Sequence, residues 1–184
     1  NLRGPNNEWV GIAKRSRVMY YNPVTVSSDE MEGLSYEDLS DPKWKGRVAI
    51  RSSGNMYNQS LVSSLIANHG VDATEAWAKD FVGNFARKPE GNDRAQIMAV
   101  ANGEADIAVA NSYYIGLMLS GKKGEEQQSA ARKVELHFPG QNGRGAHINV
   151  SGAGLLKNAP NKGNAVKFIE FLLTDEAQSH IVNN

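Results

Sequence analysis

The chain has 184 residues, 40% of them hydrophobic, with 20 basic and 20 acidic residues and no cysteine. That balance excludes a disordered or fibrous chain, argues against nucleic acid as a partner, and removes disulfides and thiolate metal sites. No apolar run approaches the roughly 20 residues that a bilayer-spanning helix needs, and the polar opening NLRGPNNEW does not read as a signal peptide.

In chain order, Trp9 to Asn22 alternates apolar with polar positions and is rich in β-formers, which predicts a strand limited by Pro23. The segment SYEDLSDPKWKG predicts a short helix capped by Ser35 that ends in a turn around Asp41-Pro42. Arg47 to Ser53 reads as a second strand, and MYNQSLVSSLIANHG as a helix closed by Gly70. Helices follow at DATEAWAKDFVGNF and DRAQIMAVANG, then a buried strand at ADIAVAN and a helix at SYYIGLMLSG with Asn111 or Ser112 as its N-cap. KKGEEQQSAAR reads as a solvated loop, KVELHFP and HINVSGAGLL as strands, and NKGNAVKFIEFLLTDEAQSHIV as one amphipathic helix. Strands alternating with helices predict an α/β sheet with largely parallel strands.

Two junctions stand out. AIRSSGNMYNQ and AVANSYYIG each end a buried strand, turn on small polar residues and place tyrosine in the first turn of the next helix. In open α/β sheets ligands bind beyond the carboxyl ends of strands, so Tyr57, Tyr113 and Tyr114 can meet at one crevice. Helix N-termini favour the phenolate, but a free phenol ionises only near pH ~10, so several phenolates at neutral pH call for a strong cation. A hard trivalent metal meets that demand, and ferric iron fits best. By contrast His69, His137, His147 and His180 are scattered without i, i+4 metal-binding spacing, and no catalytic Ser-His-Asp order or phosphate loop is present. Tyr20 and Tyr21 read as packing residues and Tyr36 as a partly exposed helix residue.

The motifs WVGIAKRSRVMYYNP, WKGRVAIRSSGNMYNQSLVSSLI, GEADIAVANSYYIGLM and GAHINVSGAGLLKNAPNKGNAVKFIEFLLTDEAQ resemble those of the bacterial periplasmic ferric-ion-binding proteins. The resemblance implies the type II periplasmic binding protein fold and a non-enzymatic role in binding Fe(III) for an inner-membrane ABC permease, as a monomer in the periplasm. It also implies that Tyr113 and Tyr114 bind iron in the interlobe cleft with Tyr57 as a third ligand. Arg17, preferred over Arg15, would lie near the iron or a synergistic anion such as carbonate, with Asn111 beside that anion.

Set against that family, the chain reads as a fragment. Residues 1–22 would end the amino-terminal lobe and form a crossover strand. Residues 23–138 would form a complete carboxy-terminal α/β lobe, and 139–184 a return crossover and helical segment of the other lobe. The missing amino-terminal segment of the same protein would be a partner, covering an apolar face of Val166, Phe168, Ile169, Leu172 and Leu173. Two other readings stay open: a type II solute-binding protein for an organic or anionic ligand, and the effector-sensing domain of a transcription regulator.

Overall fold

β1 (Trp9–Tyr21) runs through the middle of a five-stranded sheet and pairs with β3 (Ile107–Asn111), β4 (Glu135–His137) and β5 (Ile148–Gly154). β3 in turn pairs with β2 (Val48–Ile50), giving the order β2-β3-β1-β4. The computed structural model describes residues 2–183. Two compact units are present: Arg15–Asn149, and the segment up to Lys14 together with that from Val150 onward. Among the described residues no helix is long and apolar enough to cross a membrane.

The sheet is mixed rather than largely parallel. β2 and β3 run parallel, with Val48 opposite Ile107 and Ile50 opposite Val109, as expected for strands joined by helical crossovers. β1 lies antiparallel to β3, from Arg17 opposite Asn111 to Tyr21 opposite Ile107, and antiparallel to β4. Alternation along these strands builds two cores. Met19, Tyr21, Val48, Ile50, Ile107 and Val109 join one, covered by Leu61 of α2 (Met56–His69) and Phe81 of α3 (Val71–Gly83). Val18, Tyr20, Ala49, Ala108 and Ala110 join the other. Their cover comes from Ile97 and Val100 of α4 (Asp93–Ala101), Met118 of α5 (Tyr113–Leu119) and Ala130 of α6 (Glu125–Ala131).

Several local expectations need correction. The helix expected after Ser35 is two short 3-10 turns, Glu37–Ser40 and Pro42–Trp44. Pro42 lacks the N–H a longer helix would need there, and Asp38 is spent accepting the N–H and hydroxyl of Ser35 at 2.7 Å each. A further helix, α1 (Ser28–Met31), precedes them, started by a capping box of Ser27 and Glu30. KKGEEQQSAAR is not wholly a loop, because Ala130 and Ala131 of α6 are buried. The last amphipathic stretch is split into α7 (Lys162–Leu172) and α8 (Asp175–Asn183). Thr174 causes the split, its hydroxyl donating to the Phe171 carbonyl at 2.8 Å and accepting the Ala177 N–H at 3.3 Å, as an N-cap does. Val166, Phe168, Phe171 and Leu173 are exposed.

Tyr36 is buried, not a partly exposed helix residue. Its hydroxyl donates to the Arg17 carbonyl at 2.6 Å and accepts the His147 N–H at 2.9 Å. Burial is the main cause that pushes its phenol up to about 12. The neutral form is thus preferred in the folded state, so the stability it contributes is fully present below pH ~10, where unfolded tyrosine ionises, and is lost between there and about 12. Denaturant unfolding across that window is expected to show a stability loss in the wild type that shrinks in Tyr36→Phe. Equal losses in both would contradict this assignment.

Candidate metal centre

The parallel pairing of β2 and β3 brings their carboxyl ends to the same edge of the sheet, and each strand is followed by a turn and a helix. Tyr57 is the second residue of α2, whose start is fixed by Asn55, its side chain accepting the Tyr57 N–H at 3.0 Å. Tyr113 and Tyr114 open α5 directly after β3. Their ring centroids lie 4.1 Å apart with planes inclined by 31°. Tyr113 also interacts electrostatically with both Tyr114 and Tyr57. The structure therefore gathers all three tyrosines that the sequence singled out.

Tyr113 is 42% exposed, so the cluster is open to a ligand. Partial burial first, then its interactions with Tyr114 and Tyr57, push its phenol well above the ordinary range. The neutral phenol is thus the favoured form of Tyr113 in the folded chain. Among the described residues no group of three or more histidine, aspartate or glutamate side chains is placed to hold a metal. His69, His137 and His147 instead bond to Glu37, the Leu34 carbonyl and Ser60.

Arg17 and Asn111 face each other across β1 and β3, and the Arg17 Nη1 donates to the Asn111 Oδ1 at 3.0 Å. Arg17 is only 2% exposed. Its remaining terminal bonds go to Asp93 at 2.7 Å, Asn58 Oδ1 at 2.5 Å and the Val109 carbonyl at 3.2 Å. With both terminal nitrogens engaged, only its Nε–H is left to meet an anion, and that atom and Asn111 Nδ2 are buried without a hydrogen bond. The geometry thus commits Arg17 mainly to the buried network of Asp93, Asn58 and Asn111.

Three residues escaped the sequence reading. Asp93, 0% exposed, holds Arg17, accepts the Asn111 N–H at 2.9 Å and pairs with Arg51 at 3.3 Å. Asn58 donates to the carbonyls of Arg51 and Ser52 at 2.7 and 3.2 Å while accepting from Arg17, so it ties α2 to the β2 turn. Tyr20 is not simply a packing residue, because its hydroxyl donates to the carbonyls of Asn111 and Ser112 at 3.0 and 3.1 Å. A carboxylate at a helix start, such as Asp93, reads as a cap; its pairing with an arginine 76 residues away leaves no local signal.

The family model of the bacterial extracellular solute-binding proteins matches residues 1–184. The chain belongs to this family. It is 54% identical over 183 residues to iron uptake protein A1 of Synechocystis, covering 100% of this chain and 50% of that protein. It is 32% identical to the Fe(3+)-binding periplasmic protein of Serratia marcescens, covering 99% of this chain and 51% of that one. Among solved structures, a Trichodesmium protein (IdiA, FutA) in complex with iron and citrate ligands superposes with a TM-score of 0.91 at 54% identity. That match covers 97% of this chain and 55% of the other. The fold of this family member is accordingly the mixed α/β, type II fold of periplasmic ferric-binding proteins, and the chain spans about half the length of the curated relatives it matches.

Proposed function

We propose that the chain supplies tyrosine ligands for ferric iron in a monomeric periplasmic solute-binding protein that delivers its cargo to an inner-membrane ABC permease. The observation that carries this reading is the convergence of Tyr57, Tyr113 and Tyr114 at two adjacent strand-to-helix turns. Phenolate is a hard anionic oxygen donor, matched to a hard, highly charged cation. Ferric iron displaces the phenolic protons and takes the three oxygens, while the buried positive charge of Arg17 offsets part of the negative charge gathered there. Three phenolates leave coordination positions open for a ligand from another segment of the protein or an anion such as carbonate. The unpartnered donors on Arg17 and Asn111 suit such an anion's oxygens. The names of the relatives, which bind Fe(3+) or take up iron, support the same cargo and compartment.

A carrier must release what it binds. Ferrous iron is a weaker Lewis acid and holds phenolates ionised less well, so reduction should loosen the site. Mild reductant with a ferrous chelator is expected to strip iron within minutes from the intact, loaded protein, while chelator alone leaves it largely in place. Full retention of iron under reduction would contradict a reversible phenolate site.

A further inference from the structure

We propose that Tyr20 is a positioning residue whose hydroxyl fixes the turn presenting Tyr113 and Tyr114, an inference that rests on the ferric reading of the same site. Tyr20 lies on β1 opposite Ala108 and is 0% exposed. Small residues around it, Ala49, Ala108 and Ala110, leave room for its ring. A phenylalanine would fill the same space, so what needs explaining is the buried oxygen. Burial alone penalises a polar group unless it is bonded, and this hydroxyl is bonded to backbone. It donates toward the carbonyls of Asn111 and Ser112. Those two residues immediately precede the tyrosine pair.

The helix that carries the pair needs such help. α5 has seven residues, and Ser112 at its start makes no side-chain capping bond. Helices this short are marginal without tertiary support, and Gly116 in its interior weakens it further. Adjacent side chains on a regular helix do not face each other, yet the rings of Tyr113 and Tyr114 approach to 4.1 Å. Their juxtaposition depends on the shape of the turn, and the Tyr20 hydroxyl is bonded to the two residues that lead into it.

The test is Tyr20→Phe in the intact protein, with ferric affinity measured by competition against nitrilotriacetate and the visible band recorded. Loss of an outer partner of a metal ligand typically costs 10–100-fold in affinity, and a loss of about that size with a shifted band is expected. Tyr36→Phe is the matched comparison. It also deletes a buried hydroxyl with two backbone bonds, so its apo unfolding midpoint should fall comparably while affinity stays within about threefold of wild type. A methyl group at Gly116 would meet nothing within 4 Å, so Gly116→Ala should strengthen α5 and restore part of the affinity when added to Tyr20→Phe. Wild-type affinity and spectrum in Tyr20→Phe would overturn the proposal, as would equal losses in both Tyr→Phe variants, or a Tyr20→Phe that fails to fold even with Gly116→Ala. A colourless wild-type ferric complex would instead strike the ferric reading itself.

Discussion

Replacing Asp93 with alanine is expected to destabilise the protein by about 3–5 kcal/mol, the range for removing one partner of a buried ion pair. The carboxylate is fully buried and is the acidic partner of Arg17, which burial, as the leading cause, pushes below its ordinary value while Asp93 opposes that shift. An arginine cannot escape by deprotonation within the working range, so the variant must keep an uncompensated buried cation. The same change removes the acceptor of the Asn111 N–H and the partner of Arg51. A second substitution separates the causes. Arg17→Met in the Asp93→Ala background removes the stranded charge and should recover part of the loss, because two coupled sites are not additive. Denaturant unfolding of both variants checks this. An Asp93→Ala protein within about 1 kcal/mol of wild type, the typical cost of an ordinary point substitution, would show that the cluster is hydrated in solution.

Tyr113→Phe, Tyr114→Phe and Tyr57→Phe are each expected to lower ferric affinity by more than about 100-fold, beyond the range for outer partners of metal ligands. The substitution keeps the ring and deletes the donor oxygen, so the packing of Tyr114 against the second core is kept and both cores remain intact. Tyr113 should be the most damaging of the three, since it is the one that interacts with both others. Each phenol that becomes a ligand gives up its proton, so wild-type affinity at fixed free ferric ion rises with pH, and each variant should release one proton fewer per iron bound. Chelator competition with a proton-release measurement reads both quantities. Affinity within about threefold of wild type in all three variants would remove the tyrosines from the ligand set.

The tyrosines were legible because their signal is local. A buried strand, a small polar turn and a phenol in the first helical turn occur twice, and the sheet needs only to place the two turns side by side. The parallel pairing of Val48–Ile50 with Ile107–Asn111 does so. What holds the turns was hidden because it is non-local. Arg17 reaches Asp93 and Asn58 across 76 and 41 residues, and Tyr20 reaches Asn111 across 91. Tyr20 read as a packing residue and Tyr36 as a partly exposed one, and only the fold shows where their oxygens end. The direction of β1 was equally unreadable. Period-2 alternation marks a strand and its faces but not whether its neighbour runs with it, and the antiparallel register of Arg17 with Asn111 comes from the chain's path. At the other end, Thr174 carried a readable signal, a hydroxyl residue followed by Asp175 and Glu176, that the continuous apolar pattern masked.

The claim that Tyr113 and Tyr114 bind iron as phenolates is tested most directly by the visible spectrum during ferric titration of the intact wild-type protein and of the Tyr113→Phe/Tyr114→Phe variant. Phenolate-to-iron charge transfer absorbs visible light, and in the double variant only Tyr57 is left to produce it. The expected result is a coloured, saturable wild-type complex whose band and affinity fall sharply in the double variant, leaving at most the contribution of Tyr57, while Tyr36→Phe keeps the wild-type spectrum. A wild-type complex without the band, or an unchanged band and affinity in the double variant, would contradict the claim.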